Sequence, residues 1–189
     1  MGFYRGPKIV TNGLVLYLDA ANKKSYPGTG TTWTDLSGLG NNGTLTNGPT
    51  FNSANGGSIV FDGVDDYVSV ANNSSLNAST QTVSVWYYAQ TISLSRSATI
   101  LGKHDTAGSY NGYNFFSTNY FDIKGSTGSA VMLGAGTYKA QTWFNLVLTF
   151  TIGGSMTGYL IGLQFGPTSI PSFTMSTNVL TIGRSLDTF

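Results

Sequence analysis

Apolar residues in this chain come in short bursts parted by clusters of Gly, Asn, Ser, Thr and Pro. Bursts rich in β-branched and aromatic residues between turn-formers read as strands. They predict strands near Leu14–Asp19, Ser58–Asp62, Tyr67–Val70, Thr82–Ala89, Thr99–Gly102, Tyr113–Phe116, Tyr120–Ile123, Ala130–Leu133, Phe144–Thr151, Tyr159–Leu163 and Val179–Ile182. Side chains alternate faces along a strand. In the Thr82–Ala89 segment Val83, Val85 and Tyr87 therefore share one face, and Trp86 and Tyr88 share the other. Both faces then need cover, which predicts a central strand and makes Trp86 and Trp143 core anchors rather than ligand platforms. Asn145–Thr151 alternates more cleanly, with Leu146, Leu148 and Phe150 inward. Asn41-Asn42-Gly43, Asn47-Gly48-Pro49, Asn55-Gly56-Gly57 and Gly153-Gly154 supply turn chemistry between the bursts.

About a dozen short strands with no helical segment predict an all-β fold, a two-sheet antiparallel β-sandwich. No composition shift divides the chain, so residues 1–189 read as one domain. Residues 1–12 form an N-terminal arm. Residues 20–57 are the loosest stretch, expected to pack on the sandwich as a long loop with strand fragments, anchored by Trp33, Leu36, Leu39, Leu45 and Phe51.

Composition narrows the chemistry. Only nine Lys or Arg and eight Asp carry charge, and Glu and Cys are absent. Disulfides, thiolate metal sites, cysteine nucleophiles and paired glutamates are excluded outright. The net charge of +1 leaves no electrostatic footprint for nucleic acid. Eleven Tyr, eleven Phe and three Trp exceed what disordered segments carry. No apolar run approaches membrane-spanning length, and the first residues lack the apolar stretch of a signal peptide. The expectation is a chain made in a cytosol, without membrane insertion.

A series of segments carries a resemblance: Gly13-Leu14-Val15-Leu16-Tyr17-Leu18-Asp19, Trp33-Thr34-Asp35-Leu36-Ser37-Gly38, Asn41-Asn42-Gly43-Thr44, then Gly57-Ser58-Ile59-Val60-Phe61-Asp62-Gly63-Val64-Asp65-Asp66-Tyr67-Val68, Thr82-Val83-Ser84-Val85-Trp86, Trp143-Phe144-Asn145-Leu146-Val147 and Leu180-Thr181-Ile182-Gly183. In that order they resemble the laminin G-like, concanavalin A-like jelly-roll domains of tailed-phage virion and bacterial surface proteins. Phe61-Asp62-Gly63 followed by Asp65-Asp66-Tyr67 is the most specific piece. The resemblance implies one more, partly apolar closing strand after Ile182-Gly183, and Leu186-Asp187-Thr188-Phe189 does not supply it. The expectation is an open C-terminal sheet edge, exposed to self-association.

Each segment also has a plain reading. Asp62-Gly63 suits a turn between two strands, Asp65 and Asp66 are short enough to hydrogen-bond loop N–H groups, and Asp35 suits an Asx-turn better than a catalytic acid. Retaining glycoside hydrolysis needs two carboxyl groups about 5 Å apart. The glucanases of this fold place glutamates there, and this chain has none. His104 next to Asp105, without a nucleophile elbow, reads as a loop residue in a Lys103-His104-Asp105-Thr106 turn. Relatives of this fold hold calcium on rim loops, which by approximate position singles out Asp105 and Asp187 as calcium candidates; plain solvated loop aspartates are the competing reading. Sugar sites use aromatic faces and uncharged hydrogen-bonding groups. Tyr110, Asn111, Tyr113 and Asn114, in a loop expected to be exposed, have that character, with Trp33 and Tyr26 as secondary candidates. The tyrosines serve equally well as caps on hydrophobic sheet edges.

The expectation is a non-catalytic phage virion module, on head or tail, that binds host-surface carbohydrate. Two alternatives stand beside it: a structural decoration or assembly domain that contacts virion proteins without a glycan, and a module of a bacterial surface adhesin.

Overall fold

The computed structural model describes residues 9–91, 99–105, 111–117, 120–125, 130–134 (backbone only) and 139–184. Fourteen strands follow in chain order: β1 (Thr32–Trp33), β2 (Gly43–Thr46), β3 (Thr50–Asn52), β4 (Ser58–Val60), β5 (Tyr67–Val70), β6 (Thr80–Tyr88), β7 (Thr99–His104), β8 (Gly112–Phe116), β9 (Tyr120–Lys124), β10 (Ala130–Gly134), β11 (Trp143–Thr151), β12 (Ser155–Leu160), β13 (Leu163–Ser169) and β14 (Leu180–Ile182). Two short 3-10 turns, Ala54–Gly56 and Ser74–Asn77, are the helical elements among the described residues, and no helix there is long and apolar enough to cross a membrane.

The strands form an eight-stranded sheet in the order β1-β2-β5-β14-β7-β8-β9-β10, a four-stranded sheet in the order β13-β12-β11-β6, and the β3-β4 hairpin. Every pairing is antiparallel. The two larger sheets enclose one core, the expected sandwich. Val70, Leu101, Tyr113, Phe115, Phe121 and Ile123 face it from one side, and Phe144, Leu146, Leu148, Phe150, Met156 and Leu160 from the other. Rings meet across the gap, Tyr113 on Phe150 at 5.6 Å and Phe121 on Phe165 at 5.7 Å between centroids. Each fully buried side chain of this size stabilises the fold by roughly 1.5–3 kcal/mol. Gly158 lies under the Phe165 ring at a break in the β12–β13 register, where an added Cβ would collide with that ring.

A second cluster closes one end. Tyr26, Leu45 and Val68 are buried there with Trp33, Phe51, Ile59 and Phe61 packed on them. The long loop thus contains β1, β2 and β3, and Trp33, Leu45 and Phe51 anchor it as expected. Leu39 does not, being half exposed.

Residues 14–19 form no ladder, contrary to the strand expected there, because the neighbouring loop takes their backbone groups. Asp35 Oδ1 accepts from Tyr17 N–H (2.9 Å), Leu36 N–H donates to the Tyr17 carbonyl (2.9 Å), and Asn41 Nδ2 donates to the Val15 carbonyl (2.7 Å). Asp35 also accepts from Ser37 N–H, Ser37 Oγ and Asn41 N–H, so it makes the Asx-turn and more.

Three further expectations are corrected. The strand expected at Tyr159–Leu163 is two strands joined by a turn at Ile161-Gly162, both with positive φ. Lys103 and His104 are not loop residues: both lie in β7 with no exposed surface. The closing strand implied after Ile182-Gly183 would fall on positions 185–189, outside the described residues; β14 itself pairs with β5 on one side and β7 on the other. β6 is an end strand of its sheet rather than a central one, and its outward face is uncovered.

Candidate functional site

The outward face of the four-stranded sheet is built by alternation. Inward residues of β11 are buried, so Trp143, Asn145, Val147, Thr149 and Thr151 point the other way. Register places β6 partners opposite each: Tyr88 by Trp143, Trp86 by Asn145, Ser84 by Val147, Thr82 by Thr149 and Thr80 by Thr151. On the other side of β11, Tyr159 and Thr157 of β12 lie by Val147 and Thr149, and Gln164 of β13 lies by Tyr159.

One end of this face is aromatic. Trp86 is 65% exposed and Tyr88 38%, and the Tyr88 and Trp143 rings meet at 5.6 Å, tilted by 54°. These tryptophans were expected as core anchors; among the described residues no second layer covers this face, and Trp86 stands in solvent instead. Asn145 sits between the rings and the rest of the sheet. Its Nδ2 donates to Ser84 Oγ (3.1 Å) and to the Val85 carbonyl (3.3 Å), which fixes the amide and leaves Oδ1 with no hydrogen bond among the described residues. The other end is hydroxylated. Thr80, Thr82, Thr149, Thr151, Ser155 and Thr157 line an open depression of about 180 Å³, with Thr80 and Thr151 hydroxyls 3.1 Å apart. None of β6, β11, β12 and β13 contains a charged residue, and none occurs between Lys139 and Arg184.

The residues singled out from sequence fall elsewhere. Tyr110 and Asp187 lie outside the described residues. Tyr113 is not in an exposed loop: it lies in β8, 2% exposed, between Phe115 and Phe150, and burial pushes its hydroxyl pKa up. Asn114 is buried in the same strand. Tyr26 is buried in the second cluster with its hydroxyl donating to the Gly30 carbonyl (2.8 Å), and Trp33 packs on that cluster. Neither tyrosine ring offers an open stacking face, and Trp33 is half-buried. Asn111 is half-buried, and its Nδ2 donates to Asp105 Oδ2 (3.1 Å).

Asp105 also acts on a cation of the protein itself. Lys103 Nζ donates to Asn72 Oδ1 (2.9 Å) and the Asn178 carbonyl (2.7 Å). Burial pulls its pKa down to about 8, and the nearby Asp105 charge opposes that fall. An ammonium and an amide donor beside one carboxylate fit a calcium ion poorly, because Ca²⁺ takes about 6–8 oxygen ligands. Asp62, Asp65 and Asp66 have carboxylate oxygens within 4.8 Å of one another. They are turn-makers: Asp62 Oδ1 accepts from Val64 N–H (2.8 Å), Asp66 Oδ2 from Asp62 N–H (3.0 Å), and Asp65 Oδ2 from Asn47 Nδ2 (2.9 Å).

The aromatic face left one trace in the sequence, the uncharged run that holds Trp143 and Asn145. Which face of a strand another layer covers, the point that decides the exposure of Trp86, has no local signature.

Known proteins provide a separate comparison. A family model for the concanavalin A-like lectin/glucanases superfamily, of laminin G type, matches residues 62–188. No curated protein sequence matches. Among solved structures, the binding domain of Paraclostridial Mosquitocidal Protein 1 is similar with a TM-score of 0.68 at 15% identity, covering 80% of this chain and 41% of that one. Domain 4 of AbnA, a GH43 extracellular arabinanase from Geobacillus stearothermophilus, solved with arabinotriose, has a TM-score of 0.61 at 16% identity, covering 80% and 78%. Botulinum neurotoxin type C, whose cell entry depends on two ganglioside molecules, has a TM-score of 0.63 at 17% identity, covering 95% and 45%. This chain thus spans less than half of either toxin structure. The family match over well more than half of the sequence, on a sandwich of two antiparallel sheets, shows that the chain belongs to the concanavalin A-like lectin/glucanases superfamily.

Proposed function

We propose that this chain is a non-catalytic carbohydrate-binding module acting at a cell surface, carried by a phage particle. One observation carries the binding role: the exposed Trp86 and Tyr88, with the half-buried Trp143 ring against Tyr88, stand beside the fixed amide of Asn145. Aromatic bodies with polar edges give apolar contact and hydrogen bonding at once, the combination that a sugar ring with one C–H face and peripheral hydroxyls requires. Similar folds solved with arabinotriose or dependent on gangliosides support this reading. The phage setting rests on the resemblance of the segment series to virion and bacterial surface domains. The rival reading, a decoration domain without ligand, draws on an open edge; β14 is paired on both sides, but β6 ends its sheet among the described residues.

A glycan array tests the proposal. Wild-type protein binds a subset of glycans, and Trp86→Ala lowers that binding by about tenfold or more. Binding unchanged in Trp86→Ala would place the site elsewhere, and a blank array would favour the decoration role.

A further inference from the structure

Resting on the carbohydrate-binding reading, we infer that the ligand is a neutral, extended glycan, laid along β6 and β11 from the aromatic end of the sheet to the hydroxyl-lined depression. Two features of the face carry this, and neither follows from glycan binding alone.

The first is charge. No charged side chain occurs on β6, β11, β12 or β13, in the turn at Ile152–Gly154, or in the Ile161-Gly162 turn. A uronate, sialate or sulfated sugar laid along these strands would lose water from its anionic group and find no cation on them in exchange, which is unfavourable. Hydroxyls and amides can replace the water around a neutral sugar one hydrogen bond at a time.

The second is the distribution of groups. They form successive rows across the sheet: Tyr88–Trp143, Trp86–Asn145, Ser84–Val147–Tyr159–Gln164, Thr82–Thr149–Thr157 and Thr80–Thr151. At about 3.3 Å per residue, β6 carries these rows over roughly 26 Å, room for several sugar rings. A site for one terminal sugar gathers its polar groups into a closed pocket; here they are spread along the strand, and the depression at the far end is open. A protein-docking face gathers its aromatic anchors near its centre inside a polar rim. Here the rings stand at one end and hydroxyls fill the other.

The test is affinity electrophoresis and calorimetry with arabinan, β-glucan, galactomannan and dextran, oligosaccharides of increasing length from each, and the carboxymethylated form of each polymer. At least one neutral polymer is expected to bind, with affinity rising beyond the disaccharide and falling about tenfold or more on carboxymethylation. Thr149→Val, which keeps the side-chain shape and removes the hydroxyl at the far end, is expected to erase the gain from longer chains. Equal binding of carboxymethylated polymers, affinity that saturates at the monosaccharide, or a length gain surviving in Thr149→Val would each overturn this inference and leave glycan binding standing. Failure of every polymer to bind, with Trp86-dependent self-association in sedimentation, would overturn the carbohydrate reading itself.

Discussion

Lys103 brings an ammonium into the sandwich with no exposed surface, held by Asn72 and the Asn178 carbonyl. Its pKa falls from 10.5 to about 8 on folding, so between those values the unfolded chain binds more protons than the folded one. Stability then rises with pH through that window. Tyr17 and Tyr87, pushed up to about 12 from 10.0 chiefly by burial, work the other way once the unfolded tyrosines ionise. The rise is therefore expected between pH about 8 and about 10, seen as an increasing urea midpoint, and Lys103→Met should flatten it. Asp35 has the opposite leaning. Burial by itself would raise its carboxyl, but the bonds from Ser37, Tyr17 and Asn41 outweigh it and hold the pKa below 3.8. That contribution is present above the unfolded value and lost as pH falls through the folded one. Asp35→Ala strands several donors at once and should cost about 2–3 kcal/mol in denaturant unfolding. An unchanged midpoint would mean that water replaces the carboxylate. Sequence made Asp35 legible as an Asx-turn because that bond is local; the buried Lys103 was not, because its partners come from positions 31 and 75 residues away.

At the scale of elements, alternation was legible and sheet order was not. The inward set Leu146, Leu148 and Phe150 follows from a period of two, and these residues are fully or nearly fully buried. The same period separated Trp86 and Tyr88 from Val83 and Val85 without showing which face meets solvent. The turn inside Tyr159–Leu163 was hidden for a related reason: Ile161 is β-branched yet takes φ +48, a conformation its side chain disfavours. These placements predict a contrast. Trp86→Ala should change unfolding stability by no more than about 0.5 kcal/mol, as exposed sites do. Gly158→Ala, which drives a methyl group into the Phe165 ring, should cost about 1–3 kcal/mol. Equal losses from the two substitutions would contradict the assignment of the aromatic face to solvent.

At the scale of the whole molecule, charge is sparse and unevenly placed. The chain is uncharged from Tyr67 through Ser95 and from Ala140 through Gly183, stretches that supply β6 and β11 through β13. Affinity for a neutral glycan should therefore be nearly flat from about 0.05 to 0.5 M salt, a range over which the Debye length shrinks severalfold. A steep loss of affinity with salt in calorimetry would point to an ionic contact elsewhere on the surface. The position of β14 bears on how such a molecule is made. β5 and β7 meet only through this strand, whose Thr181 bonds to Gly102 across 79 residues of sequence. Until β14 arrives, the larger sheet exists as two ribbons, each with a bare row of amides and carbonyls toward the other. In that state each ribbon is adhesive to its own kind, and β14 acts as the keystone that ends it.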